Sequence, residues 1–215
     1  MSEQITGRAS FGLDVDRMVF ESWRIFTDRP LTLLGVSALI VAVGIVAHVL
    51  VVGAFLWLPF TMCVPYASVS ILSGPRTDRI FLGWVDRYPS LLVLYVPAGL
   101  LYAIFLTLFL PYMGILDDVR EVWPVAAFVP VLVENTISFT LGLAALLTIR
   151  RNLSPTTAIA ELFATRRHAL EAFLLGGALA LFSVSGLLVC CIGLFATTAF
   201  AWVCLGVAYY QMFET

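Results

Sequence analysis

Two ionisable side chains, His48 and Glu134, stand inside long apolar runs of the chain. Glu134 interrupts the stretch "PVLVENTISFTLG". An imidazole or carboxylate in hydrocarbon is expensive, and such groups commonly carry protons or cations. Glu134, Ser138, Gly142 and Ala145 recur at helical spacing, as do Ser37, Val41, Gly44 and His48. Both stripes are mostly small, which allows close helix packing. On helices rising from one membrane boundary, His48 stands about 26 Å up and Glu134 about 22 Å up. They lie at similar depth, in the outer third of a core about 30 Å thick. One reading is therefore a proton-coupled or cation site of Glu134, His48 and Ser138. A second makes Glu134 structural, hydrogen-bonded to Ser138, Tyr95 or Tyr102. A third starts the helix near Pro130 and puts Glu134 among the outer headgroups. His48, with Gly44 one turn earlier, also has the shape of an axial ligand for a haem or pigment macrocycle.

Other chemistry is sparse. The segment "LDDVREVW" groups Asp117, Asp118 and Glu121, oxygens that a divalent cation would accept, but without an EF-type ligand pattern. A solvated loop is the ordinary explanation. Cys63, Cys190, Cys191 and Cys204 all sit in apolar segments and read as small hydrophobes. All 12 basic residues are Arg. Without Lys there is neither a P-loop lysine nor a Schiff base. No HExxH, GxGxxG, GxSxG or CxxC pattern occurs, so a non-enzymatic protein is expected, with no cofactor beyond the macrocycle alternative.

The elements that must position these residues are membrane spans. Hydrophobic residues make up 61% and charged ones 12% of the 215 residues, far from soluble proportions. A net charge of -2 gives no reason to expect nucleic acid. Residues 1–30 read as a cytoplasmic segment with an amphipathic helix, and 31–215 as one transmembrane domain. From Pro30 to Pro75 no Asp, Glu or Arg occurs, a stretch about twice the membrane thickness as one helix. A turn at Gly53 divides it into spans at 31–50 and 54–72. Further spans are expected at 91–110, 128–149, 172–190 and 194–213, the last pair turning at Gly193. The prediction is an all-α membrane protein with six transmembrane helices. With the N-terminus inside, eleven arginines fall on inner segments and only Arg120 outside, so both termini are expected in the cytoplasm. Trp23, Trp84 and Tyr88 fit an inner aromatic belt.

An offset of 140 residues pairs Glu21 with Glu161, Leu34 with Leu174, Gly53 with Gly193 and Phe60 with Phe200, a weak parallel internal repeat. Each copy opens with an amphipathic segment. In the first, Phe11, Val15, Met18, Ser22 and Ile25 follow helical spacing. In the second, Ser154 suits an N-cap and Pro155 the first turn. Two cytoplasmic interfacial helices are the expectation, with caps packed on the bundle as the alternative.

The stretches "ESWRIFTDRPLTLL", "GPRTDRIFLGWVDRYPSLL", "NLSPTTAIAELFATRRHALEAF" and "CCIGLFATTAFAWVCLGVAYYQMF" carry a resemblance. Together they are similar to a broad group of bacterial six-helix integral membrane proteins. That group resembles the membrane domain fused to some glycerophosphodiester phosphodiesterases. The resemblance implies a six-helix architecture in the bacterial inner membrane and no catalytic residue, because the soluble phosphodiesterase domain is absent. The expected role is a structural or accessory subunit, in contact with lipid and with other membrane subunits or itself. The alternatives are a small proton-coupled transporter or channel and a pigment- or haem-carrying subunit. The orientation has a direct check: with Asp117→Cys, an impermeant maleimide should label intact cells from outside, and with Arg79→Cys it should not.

Overall fold

A computed structural model describes residues 13–49, 58–74, 82–96, 99–100, 123–164, 166–186 and 191–214. All regular structure among them is helical. Helix α1 spans Val15–Asp28 and α2 Pro30–Val49; a 3-10 turn, Leu58–Met62, leads into α3, Cys63–Leu72. Residues 88–96 are helical. Then come α4, Trp123–Arg150, α5, Pro155–Leu162, α6, Arg166–Ser185, and α7, Cys191–Phe213.

Local chemistry accounts for several boundaries. Asp14 caps α1 by accepting from the Arg17 N–H at 3.0 Å, and Ser154 caps α5 by accepting from the Thr157 N–H at 3.2 Å. Pro155 occupies the first turn of α5, where its missing N–H costs nothing. Gly74, at φ 93°, and Asn152, at φ 58°, follow α3 and α4 in left-handed conformations, as helix C-termini favour.

Among the described residues three helices are long and apolar enough to cross a membrane: Leu132–Arg150, His168–Ser185 and Gly193–Phe213. A fourth is possible if α1 and Pro30–Val43 of α2, which meet at 95°, form one broken span. This differs from six regular spans in identifiable ways. The span expected at 54–72 is a 3-10 turn followed by a ten-residue helix. Pro65 has no N–H to offer the Thr61 carbonyl, so an α-helical ladder cannot continue unbroken into it. The helix expected at 128–149 already starts at Trp123 and passes through Pro130. Gly193 lies inside the first turn of α7 instead of between two helices. The turn at Gly53 and most of 91–110 lie outside the described residues.

Helix α7 is the axis of the bundle, packed against α1, α2, α3, α4 and α6. Helices α3, α4 and α7 run in the same direction and end together at Ser73, Arg150 and Glu214. The approach of α3 to α7 is set by Gly206. A Cβ there would come within 2.5 Å of the Pro65 carbonyl oxygen and 2.8 Å of Ser68 Cβ. Helix α6 approaches α4 as closely: a Cβ on Gly176 would stand 2.8 Å from the Thr136 carbonyl oxygen. Between α6 and α7, buried Ser183 and Thr198 share a 2.8 Å hydrogen bond, and Thr197 Oγ1 donates to the Ser183 carbonyl at 2.8 Å.

The repeat recurs in local layout only. In both copies a short amphipathic helix precedes a long apolar one, but α1 packs along α7 whereas α5 packs chiefly on α4. Trp84 and Tyr88, expected in an inner belt, pack edge-on to Phe60 with ring centroids 5.2 and 5.8 Å away. Phe60 lies about 20 Å along the chain axis from Ser73, so this segment sits far from the Arg150 end.

Gly206→Ala should lower the thermal midpoint in detergent, at a cost of about 1–3 kcal/mol, because backbone must move. Gly35→Ala, where a Cβ meets nothing within 4 Å, should leave the midpoint unchanged or slightly raised.

Candidate functional site

Glu134 lies well inside α4, 11 residues after Trp123 and 16 before Arg150. Its height above Arg150 is therefore about 24 Å. A helix starting at Trp123 overturns the expectation that it starts near Pro130. Thr136 and Thr140, on the far side of α4 from Glu134, face Gly176 of α6. The Glu134 face points elsewhere. On it, a Cβ at Gly142 would meet Leu205 of α7 at 2.7 Å and Met62 at 3.3 Å, and Ala145 is fully buried. The small stripe is thus a packing seam against α7 and the 3-10 turn from Gly142 downward. At Ser138 and Glu134 it becomes half-buried. Among the described residues no hydrogen-bond donor reaches the Glu134 carboxylate, so the expected bonds from Ser138 or Tyr95 are not formed. Tyr102 lies outside those residues.

His48 lies near the end of α2, with its side chain outside the described residues. The structure therefore brings Glu134 and Ser138 onto one face and leaves their pairing with His48 open. Asp117, Asp118 and Glu121 lie outside the described residues. Among the described residues no group of three or more His, Cys, Asp or Glu could hold a metal ion.

The polar site that does assemble is at the other end of α4. Arg150 Nε donates to Glu214 Oε1 at 2.8 Å and its NH2 to Glu214 Oε2 at 3.0 Å, a bidentate pair. The same NH2 donates to Ser73 Oγ at 2.8 Å, and Ser73 donates to Glu214 Oε2 at 3.1 Å. One arginine thereby ties together the ends of α3, α4 and α7. Arg151 beside it pairs with Glu161 of α5, donates to the Phe213 carbonyl and stacks over the Phe213 ring at 5.8 Å. His168 of α6 packs edge-on to the same ring at 6.2 Å. Arg150 and Arg151, at the end of α4 and just past it, thus gather three other helices, α3, α5 and α7, at one end.

The arginines were visible in sequence as a topological signal, but Glu214 and Ser73 were not singled out. A usable sign existed: Glu214, Ser73 and Arg150 each follow an apolar run, and runs ending on one side of a membrane bring their terminal polar residues together. Comparisons with protein-family models, curated proteins and solved structures found no match. What fold and composition define is a membrane protein whose described residues are helical and include three helices able to cross a bilayer, or four with the bent pair.

Arg150 and Glu214 are each mostly buried, so removing one strands the other. Glu214→Ala should destabilise by about 1.5–3 kcal/mol. Arg150→Ala with Glu214→Ala should cost less than the sum of the single changes, which thermal unfolding of all three variants would measure.

Proposed function

We propose that this chain is a non-enzymatic, structural or accessory subunit of a larger membrane assembly. In this reading it belongs to a bacterial inner membrane and keeps both termini in the cytoplasm. The amphipathic segment α5 then lies on the cytoplasmic side, close to the interface. The supporting observation is the closure of the Glu134 seam. Below Ser138, Gly142 is closed against Leu205 and Met62 and Ala145 is fully buried, so the face bearing Glu134 meets packed side chains on the way to the Arg150 end. A scaffold is served by such packing, and a conducting path along that face is not. The resemblance to six-helix membrane proteins, from which no catalytic residue carries over to this chain, agrees with this role.

The second reading, a small proton-coupled transporter or channel, is favoured by one feature: a half-buried carboxylate on a helix long enough to cross the bilayer. The two readings part on two measurements. A subunit should purify in mild detergent with stoichiometric partner protein, and a lone monomer would overturn that reading. A transporter built on Glu134 should lose proton flux in reconstituted vesicles when Glu134→Gln removes the titrating group. Flux unchanged by that substitution, or absent altogether, supports the scaffold. A His48-ligated haem or pigment would give visible absorbance that disappears in His48→Ala.

A further inference from the structure

Helices α1 and α6 both lie against α7 over the same stretch of its length, yet they present opposite chemistry outward. On α6, His168 packs on Phe213 and Phe182 on Phe200. Its outward residues Leu170, Phe173, Leu174 and Leu181 are all apolar and each more than half exposed. That face suits lipid. On α1, Gln211 lies against the start of the helix: with its amide oriented to satisfy both groups, it donates to the Asp14 carbonyl and accepts from the Met18 N–H, each at 3.2 Å. Trp23 and Phe26 pack on Phe200, with ring centroids 6.1 and 5.9 Å away. Helix α1 therefore runs antiparallel down α7 from Gln211 to Phe200, about 16 Å of its length.

A helix lying flat in a membrane interface would cross α7 at a turn or two. Helix α1 follows it instead, sharing its tilt and depth. Met18, Ser22 and Ile25 are buried against the bundle. Along one flank of that stripe run Arg17, Glu21, Arg24 and Asp28, a ladder of alternating sign at three- and four-residue spacing, exposed except for the largely buried Glu21 side chain. Across the helix from the buried stripe stand large exposed apolar groups, Phe20 at 69% and Trp23 at 59%. Lipid at this depth would oppose the charges, and water would oppose the aromatic rings. Tryptophan and arginine beside a partly buried acid are the composition of a protein interface. Glu21 adds a specific sign. Its Oε1 accepts from Arg17 Nε at 2.9 Å, while Oε2 is buried and has no donor among the described residues.

We propose that this outward face of α1 docks a helix of a different membrane protein whose charges alternate in the complementary order. The proposal rests on the subunit reading and says where the partner binds. A second copy of this chain fits poorly. Copies sharing one membrane orientation, related by an axis along the membrane normal, would run their α1 helices parallel and set rungs of like sign at equal height.

The test places a photoreactive benzophenone amino acid at Phe20 or at Leu174 and irradiates native membranes. The proposal expects the Phe20 probe to join one polypeptide other than this chain, at an apolar segment interrupted by charged residues, and the Leu174 probe to give lipid adducts. Arg17→Glu with Arg24→Glu should cut the Phe20 adduct at least tenfold. Unfolding curves identify whether the pair folds, and Arg24→Gln, at an exposed position, serves as the milder second variant with a smaller loss. Lipid-only adducts at Phe20, an adduct to this chain itself, or an adduct indifferent to charge reversal in folded protein each overturn it. A purified complex whose crosslinks arise only at Leu174 removes the α1 face and leaves the subunit reading standing. A lone monomer in mild detergent removes both.

Discussion

The close approach of α3 to α7 at Gly206 is the constraint on which the rest of the bundle depends. With no side chain there, the backbone of α3 comes near enough that even a methyl group would collide with a carbonyl oxygen. Once α3 and α7 are joined so closely, Leu205 beside Gly206 is held against Gly142 of α4. Helix α4 then runs parallel to both, and the three C-termini arrive together. Dispersion forces supply the attraction, since apolar side chains gain little from leaving lipid for one another. Small residues matter because they shorten the distance over which those forces act.

That arrival creates the electrostatic problem that Arg150 resolves. Three helix C-termini carry partial negative charge at one place, together with the Glu214 carboxylate. A guanidinium can bridge them because its donors form a planar fork, of which Nε and NH2 are used here for the carboxylate and NH2 again for Ser73. Arg151 does the same for α5 and the end of α7. The two adjacent arginines point to different partners, so the end of α4 is a junction.

Much of the local structure was legible in the residues. Ser154 and Pro155 announced the start of α5, and of the helically spaced stripe read in α1, Met18, Ser22 and Ile25 are buried while Val15 is exposed. The small stripe of Glu134, Ser138, Gly142 and Ala145 also lies where helical periodicity put it, on one face of α4 that becomes a packing seam. The spans were less legible. Hydropathy does not register that Pro65 lacks an N–H, or that Trp123 to Pro130 can continue a helix, because both depend on backbone hydrogen bonding. The partner of Arg150 was hidden for another reason: Glu214 is 64 residues away, and pairing across such a distance is a property of how helices meet.

By itself the sequence determined that the chain is helical and belongs in a membrane, where α5 begins, and which residues of a helix share a face. Those follow from side-chain hydrophobicity, N–H availability and the period of the helix, all local quantities. Only the tertiary structure decided which face meets which. Two copies of one local layout ended differently, α1 along α7 and α5 on α4, because docking depends on the shape and charge of the surface already in place. The tertiary structure likewise made Glu134 the upper end of a seam and Arg150 the knot of the bundle, since burial and pairing come from neighbours remote in the chain.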